Sequence, residues 1–409
     1  MKRTWVLGAT VLGLAAVGCA QESDFGITVP VTASAGVMDS QRLRLSNPAN
    51  AQAAFGLRLM LYPTVKLGRH WFGYAAVQVR LMPYFYYDAF LPDRSLRTDV
   101  IQGYAGYSVQ AGRASLVIKA GQLVSAFGAF PLRYDDLENP LLDQPLAYIT
   151  RMPVPSNQLL CGTSGLLRQH YGFVSGSCGG APGAGNAITP VTLYGLPGVE
   201  AEISLRQFDA RLQVTSGSPA NPQSWSRYRQ YAQWTAGGGY TIRQGFRVGA
   251  SLFTGPYLDP VVTAYLPVGD SVRDYPATGI GLDGQWARGR WSVYGEWQHI
   301  RFDTPGFVVP PALSAGYAEA KSILTPRWYV AGRAGWLQTE RVTDAAEVSA
   351  AQFAPLLKSY ELASGFWLNR RQLLKVSYSW LQIAGQSGGE YNVYGFELVT
   401  HFTPPALVF

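Results

Sequence analysis

A closed, antiparallel, all-β transmembrane barrel of about 16 strands is the fold this sequence predicts. Three observations predict it. Segments of alternating polarity recur along the chain, the connections between them alternate short and long, and the composition is apolar and aromatic without a helical span. The chain has 409 residues, 47% hydrophobic and 14% charged, where soluble domains carry roughly 25% charged residues. Mean hydropathy is nonetheless close to zero. Beyond the N-terminal stretch, no apolar run reaches the ~18 residues a transmembrane helix needs. The 45 glycines, 24 tyrosines and 11 tryptophans suit many tight turns and aromatic belts.

The first element, "MKRTWVLGATVLGLAAVGCAQ", reads as an export signal. Lys2 and Arg3 precede an apolar run from Trp5 to Val17, and Gly18 and Ala20 are the small residues a peptidase reads. Residues 1–20 are expected to be removed, leaving 21–409 as a single barrel in the outer membrane of a diderm bacterium. The alternative is a lipoprotein box at "AVGC", with the lipid on Cys19.

Alternating segments then fall at 25–37, 52–66, 70–87, 97–110, 113–123, 190–206, 209–217 and 228–243. They continue at 245–257, 275–287, 290–303, 314–324, 327–341, 355–368, 371–384 and 390–402. Many exceed the roughly 9–11 residues that cross a bilayer as a tilted strand. The last shows the pattern plainly. In "YGFELVTHF", Tyr394, Phe396, Leu398, Thr400 and Phe402 share one face, and Gly395, Glu397, Val399 and His401 the other. Likewise Trp291, Val293 and Trp297 oppose Tyr294, Glu296 and Gln298, and Trp328, Val330, Ala334 and Trp336 oppose Arg333. A short helix is expected within "AAEVSAAQFAPLLK".

The short connections read "KLGRH", "QAGR", "RQFD", "IRQGF", "ARGR", "LTPR" and "LNRRQ", mostly with residues that tolerate hairpin geometry. The long ones span 38–51, 88–96, 123–189, 218–226, 259–274, 304–312 and 343–354. This rhythm gives brief turns at one barrel end and extended loops at the other. Trp71, Trp291 and Trp328 each follow a short turn, while Phe85, Trp336 and Trp380 lie nearer the opposite end, as two interfacial girdles require. An oily exterior of this kind faces lipid, and the sheet must close because an open edge would leave backbone groups unpaired in hydrocarbon. The aromatic final strand resembles the signal read by barrel assembly machinery, although "TPPALV" departs from the usual ending.

Residues 123–189 change character: they hold no clear strand pattern and are too long for an ordinary loop. Within them, "KAGQLVSAFGAF" resembles the "GQ…FG" strand-to-loop passage of the phosphate-selective porin-like family. The resemblance implies a third loop folded inward, a water-filled channel for passive diffusion of small polar solutes or ions, and a homotrimer. No cofactor is implied. Arg133, Asp135, Asp136, Glu138, Asp143, Arg151 and Arg168 are the candidates to line a constriction. Loop-to-wall ion pairs that line nothing are the alternative for the same charges.

Alternation places Arg58, Arg80, Lys119, Arg211, Arg247, Lys321, Arg333 and Lys375 on the lumen wall. It places Glu200, Glu202, Asp283, Glu296, Glu319, Glu361 and Glu397 there too. This near balance lacks the basic ladder that phosphate selection needs, and Tyr74, Gln78, Gln285, Tyr294, Gln298 and Tyr317 suit neutral solutes equally. Cys161 and Cys178 are the candidate disulfide of an exported loop.

Other function classes find less footing. The four histidines accompany no nucleophile motif, so no enzyme is expected. Asp135, Asp136 and Glu138 match no calcium-loop spacing, so no metal is expected. The formal charge of +7 is scattered, which argues against nucleic acid. "SNPAN" resembles an element of long-chain fatty acid transporters and leaves a hydrophobic-compound transporter as an alternative.

Overall fold

The computed structural model describes residues 25–40, 53–81, 84, 96–170, 177–180, 187–191, 195–218, 231–385 and 389–408. The export signal, "SNPAN" and Phe85 lie outside them. Among the described residues the main sheet has 19 hydrogen-bonded segments. Three of these continue a strand across a break, which leaves one antiparallel barrel of 16 strands.

In chain order these are β1 (Phe25–Thr28 continued by Val31–Ser40), β2 (Ala54–Leu61 continued by Thr64–Leu67), β3 (Trp71–Leu81) and β4 (Leu96–Ala111). Next come β5 (Ala114–Leu123), β6 (Leu196–Leu205), β7 (Phe208–Ser216), β8 (Ala232–Arg243), β9 (Phe246–Pro256) and β10 (Pro276–Arg288). The last are β11 (Trp291–Phe302), β12 (Ala312–Thr325), β13 (Trp328–Thr339), β14 (Leu357–Trp367), β15 (Gln372–Ile383) and β16 (Glu390–Phe402 continued by Leu407–Val408). Each pairs with its chain neighbour, and β16 closes on β1 from Val31↔Phe402 to Ser40↔Val393.

The breaks fall at Pro30, Pro63 and Pro404–Pro405, on three adjacent strands. Proline has no N–H to give a ladder. The sheet bridges the gap from the other side, since Tyr62 N–H donates to the Pro30 carbonyl at 2.9 Å. "TPPALV" therefore interrupts β16 without ending it: Leu407 and Val408 pair again with Ile27 and Gly26.

Polarity is inverted relative to a soluble protein. Trp71 is 57% exposed and Leu362 65%, whereas Lys375 is 0% exposed and Glu319 1%. A folded chain gains nothing by showing such aliphatic and aromatic surface to water. Facing lipid, the same surface is the stable choice.

The sequence reading needs three adjustments. Of the segment proposed for 190–206, residues 192–194 lie outside the described residues and the strand runs over Leu196–Leu205; of the expected continuation of β3 to 87, only Tyr84 is described, and it is not in a strand. No helix forms in "AAEVSAAQFAPLLK". There Asp344 Oδ1 accepts the N–H groups of Ala346 and Val348, both at 3.0 Å, and Thr339 Oγ1 accepts those of Phe353 and Ala354 at 3.3 and 3.1 Å. These side chains capture the donors a helix would use. Helices form instead inside the longest connection, at Leu146–Ile149 and Gly162–His170.

Candidate functional site

The connection from β5 to β6 turns into the barrel through its two motif glycines. Gly121 has φ +146° and Gly128 φ +79°. A Cβ on Gly128 would lie 2.3 Å from the Tyr148 hydroxyl and 2.4 Å from Glu296 Oε1. Only glycine fits both the backbone angle and the space. From there the chain follows the inner wall. Ala126 N–H donates to Gln213 of β7 at 3.2 Å, Gly128 N–H to Ser251 of β9 at 3.0 Å, and Ala129 N–H to Glu296 of β11 at 3.2 Å. The spacing "GQ…FG" thus has a physical cause in this chain.

The loop then crosses the lumen. Arg133 is buried, donates to Glu319 of β12, and stacks 4.1 Å from the Tyr294 ring. Asp135 accepts from Tyr62 and, at 3.3 Å, from Thr32. Asp136 accepts from Arg58 and Ser34, both at 2.7 Å, and from Tyr84 at 3.0 Å. Burial pushes the Asp136 carboxyl up, but Arg58 and then Lys375 outweigh it and hold the group below the ordinary aspartate value. Lys375 of β15 donates to the carbonyls of Asp136, Asn139 (3.0 Å) and Leu141 (3.4 Å) while pairing with Glu397 at 2.9 Å. One ammonium thereby clamps three loop carbonyls to the wall.

Farther on, Leu142 N–H and Asp143 N–H donate to Glu361 at 2.9 and 3.2 Å, and the Asp143 carbonyl accepts from Arg333 at 2.9 Å. Glu138 is different. Its side chain is exposed to the lumen. Enclosure by the barrel, then Asp135, pushes its carboxyl above the ordinary value, with Arg133 pulling back. Arg151 is exposed, and Arg168 stands on the Gly162–His170 helix with its side chain outside the described residues.

The seven constriction candidates therefore divide. Arg133 and Asp136 are buried in loop-to-wall pairs, Asp135 is hydrogen-bonded to the wall, and Asp143 engages it through its backbone. Glu138 presents its charge to the lumen.

Most of the wall charges meet opposite partners, while Lys321 lies 4.2 Å from the Tyr329 ring and Glu296 takes neutral donors. Lys119 binds Glu200 at 3.1 Å and Glu202 at 2.6 Å. Arg247 binds Asp209 at 2.6 Å and Asp283 at 2.9 Å, and Arg333 binds Glu319 at 2.7 Å. Arg80 lies 3.8 Å from Asp99. Glu296 accepts from Tyr148 at 2.7 Å and Gln298 at 2.5 Å. Buried charge of either sign needs such a partner, which is why the lumen is balanced and carries no basic ladder.

On the long-loop side, Phe127, Phe130, Leu146, Met152, Val154 and Leu166 pack with Phe253, Ile300, Phe302 and Leu313 of the wall. Cys161 and Cys178 are joined there as a disulfide, Cα–Cα 5.1 Å, beside the paired segments Gln158–Leu160 and Ser177–Gly180. Opposite, Leu142 and Asp143 face Gly36, Ser377, Ser379 and Gly395 across a cleft of about 40 Å³, room for water but for nothing much larger.

Sequence reasoning missed Tyr62, Tyr104 and Asp99 as lumen residues. A bulge explains two of them. Ala76 pairs with Gln102 but Val77 with Val100, so Ile101 is extra and parity flips between Asp99 and Tyr104. Of the histidines, His299 Nδ1 lies 3.2 Å from Ser314 Oγ and 3.1 Å from Glu340 on the outer face. The same ring nitrogen meets both groups, so no proton relay through two nitrogens is formed.

No family model and no curated protein matches the chain. Solved structures do. OmpF of Salmonella typhi in complex with daunomycin superposes with a TM-score of 0.54 at 10% identity, covering 92% of this chain and 97% of its own. The outer-membrane channel DcaP of Acinetobacter baumannii gives 0.54 at 9%, covering 93% and 97%. The trimer form of OmpT, an outer-membrane protein of Vibrio cholerae, gives 0.52 at 9%, covering 92% and 99%. The shared feature is the fold. With its closed sheet and apolar exterior, this chain is an outer-membrane β-barrel.

Proposed function

We propose that the barrel is a porin-like channel for passive diffusion of small polar solutes or ions, and not an enzyme. The observation that carries this reading is the β5–β6 loop, folded across a lumen whose wall is lined by matched charges and tyrosines. Such a diaphragm selects by radius and by the few charges left facing water. Glu138 is one such charge, which favours cations over anions near neutral pH. The balanced wall speaks against phosphate as the preferred solute. A homotrimer is part of the same proposal, since OmpT has a trimer form; native mass spectrometry in detergent tests it.

Reconstitution in planar bilayers tests the channel. Steady ohmic current steps with a cation-shifted reversal potential are expected. A barrel that inserts but passes no current contradicts the reading.

A further inference from the structure

Three tyrosines form a continuous row across β2 (at its Pro63 break), β3 and β4, inside the barrel between the crossing loop and the short turns. Tyr62 and Tyr74 stack with ring centroids 6.5 Å apart at 23°, and Tyr74 and Tyr104 follow at 5.6 Å and 39°. Phe72 meets Tyr104 edge-on at 6.2 Å. The spacing comes from the sheet, because neighbouring strands lie about 4.8 Å apart. The rings are half-buried: Tyr62 and Tyr74 pack on one side against Met60, Ile101 and the loop's Val124 and Tyr134, and each ring of the row keeps part of its surface accessible.

Most of the wall is charged and paired, so this apolar sector stands out. Its borders are polar. Lys119 sits 5.4 Å from the Tyr104 ring, held by Glu200 and Glu202, and Asp135 caps the Tyr62 end. Lys119 is already shared between two carboxylates, which leaves it poorly disposed to hold an anion.

We propose that this row is a seat for neutral sugar rings, a reading that rests on the channel proposal above and names a solute class for it. A pyranose has an apolar C–H face and a rim of hydroxyls. The face lies on the aromatic row, as apolar ligand surface does in binding sites lined by aromatics. The hydroxyls then reach Lys119 and Glu202 on one side and Asp135 on the other, which together supply donors and acceptors. Aromatic spacing on the scale of one sugar ring lets a short oligosaccharide cover more than one tyrosine. The seat lies on the short-turn side of the loop, so occupancy obstructs ion flow below the constriction.

The test is block of ion current by maltotriose added on the short-turn side of bilayers holding the intact protein. The current is expected to fall with sugar concentration. Tyr104→Ala and Phe72→Ala should raise the half-blocking concentration up to about tenfold, the worth of one aromatic contact. Tyr104→Phe should retain block, since the ring and not the hydroxyl makes the contact. Tyr378→Ala, on the lipid-facing side, should leave it unchanged. Ion current without sugar block, or equal block in Tyr104→Ala, overturns the seat while leaving the channel standing. If no current flows, the channel reading fails, and calorimetry of maltotriose on the detergent-solubilised barrel decides the seat: binding weakened by Tyr104→Ala supports it, and no binding overturns it.

Discussion

At the scale of single residues, two acidic neighbours in the loop have opposite fates. Asp136 is buried against Arg58 and Lys375, and Glu138 faces the lumen. Replacing Asp136 by Asn leaves buried cations short of a partner, at a cost of roughly 3–5 kcal/mol. Thermal unfolding in detergent should show that loss. Glu138→Gln should leave the melting temperature unchanged and move the reversal potential toward anions.

The pH dependence follows the same division. The Glu138 carboxyl is pushed up, so it gains its proton above the usual ~4.3. The Asp136 carboxyl is held down; its stabilisation is complete above the unfolded value of ~3.9 and fades as pH falls through its lowered native value. On acidification, cation preference should therefore vanish before stability does. Simultaneous loss of both would contradict these assignments. Gly128 is the third such position. An alanine there faces a left-handed backbone, costing roughly 1–3 kcal/mol, and collides with Tyr148 and Glu296, so Gly128→Ala should raise conductance by displacing the loop.

At the scale of elements, the strands were legible and the loop was not. Each of the 16 alternating segments became a strand, because side chains between lipid and a polar lumen leave period two little freedom. Of the residues that alternation assigns to the lumen, Arg58, Arg333, Lys375 and Glu397 are buried against loop and wall partners. Alternation assigned no residue of β4 to the lumen, and there the Ile101 bulge shifts the count by one. The loop's structure depends on partners scattered across many strands, and pairings such as Asp136 with Arg58 or Arg133 with Glu319 leave no local periodicity to read.

The short helix Gly162–His170 was missed for the same reason, since Asp344 of a distant loop accepts the Thr163 N–H at 2.9 Å. The disulfide between Cys161 and Cys178 closes a separation of 17 residues, for which a constraint of about 3 kcal/mol is typical. Non-reduced peptide mapping should recover the linked pair, and two free thiols would contradict it. Because Lys375 and Arg58 hold the crossing segment independently, reduction should leave conductance unchanged.

At the scale of the whole molecule, the barrel is an oily exterior around a lumen of matched charges, with one connection drawn across it. On the channel reading, this crossing sets the narrowest section. Deleting residues 135–152 removes the segment held by Lys375, Arg333 and Glu361, and with it both the steric barrier and the Glu138 charge. Single-channel recording across a salt gradient decides whether the crossing sets that section. On that reading larger current steps are expected together with a reversal potential closer to zero, while the same barrel carrying Glu347→Gln, an exposed carboxylate in another long loop, behaves as the native one. Unchanged conductance and unchanged selectivity in the deletion would place the loop outside the path of the ions and contradict it.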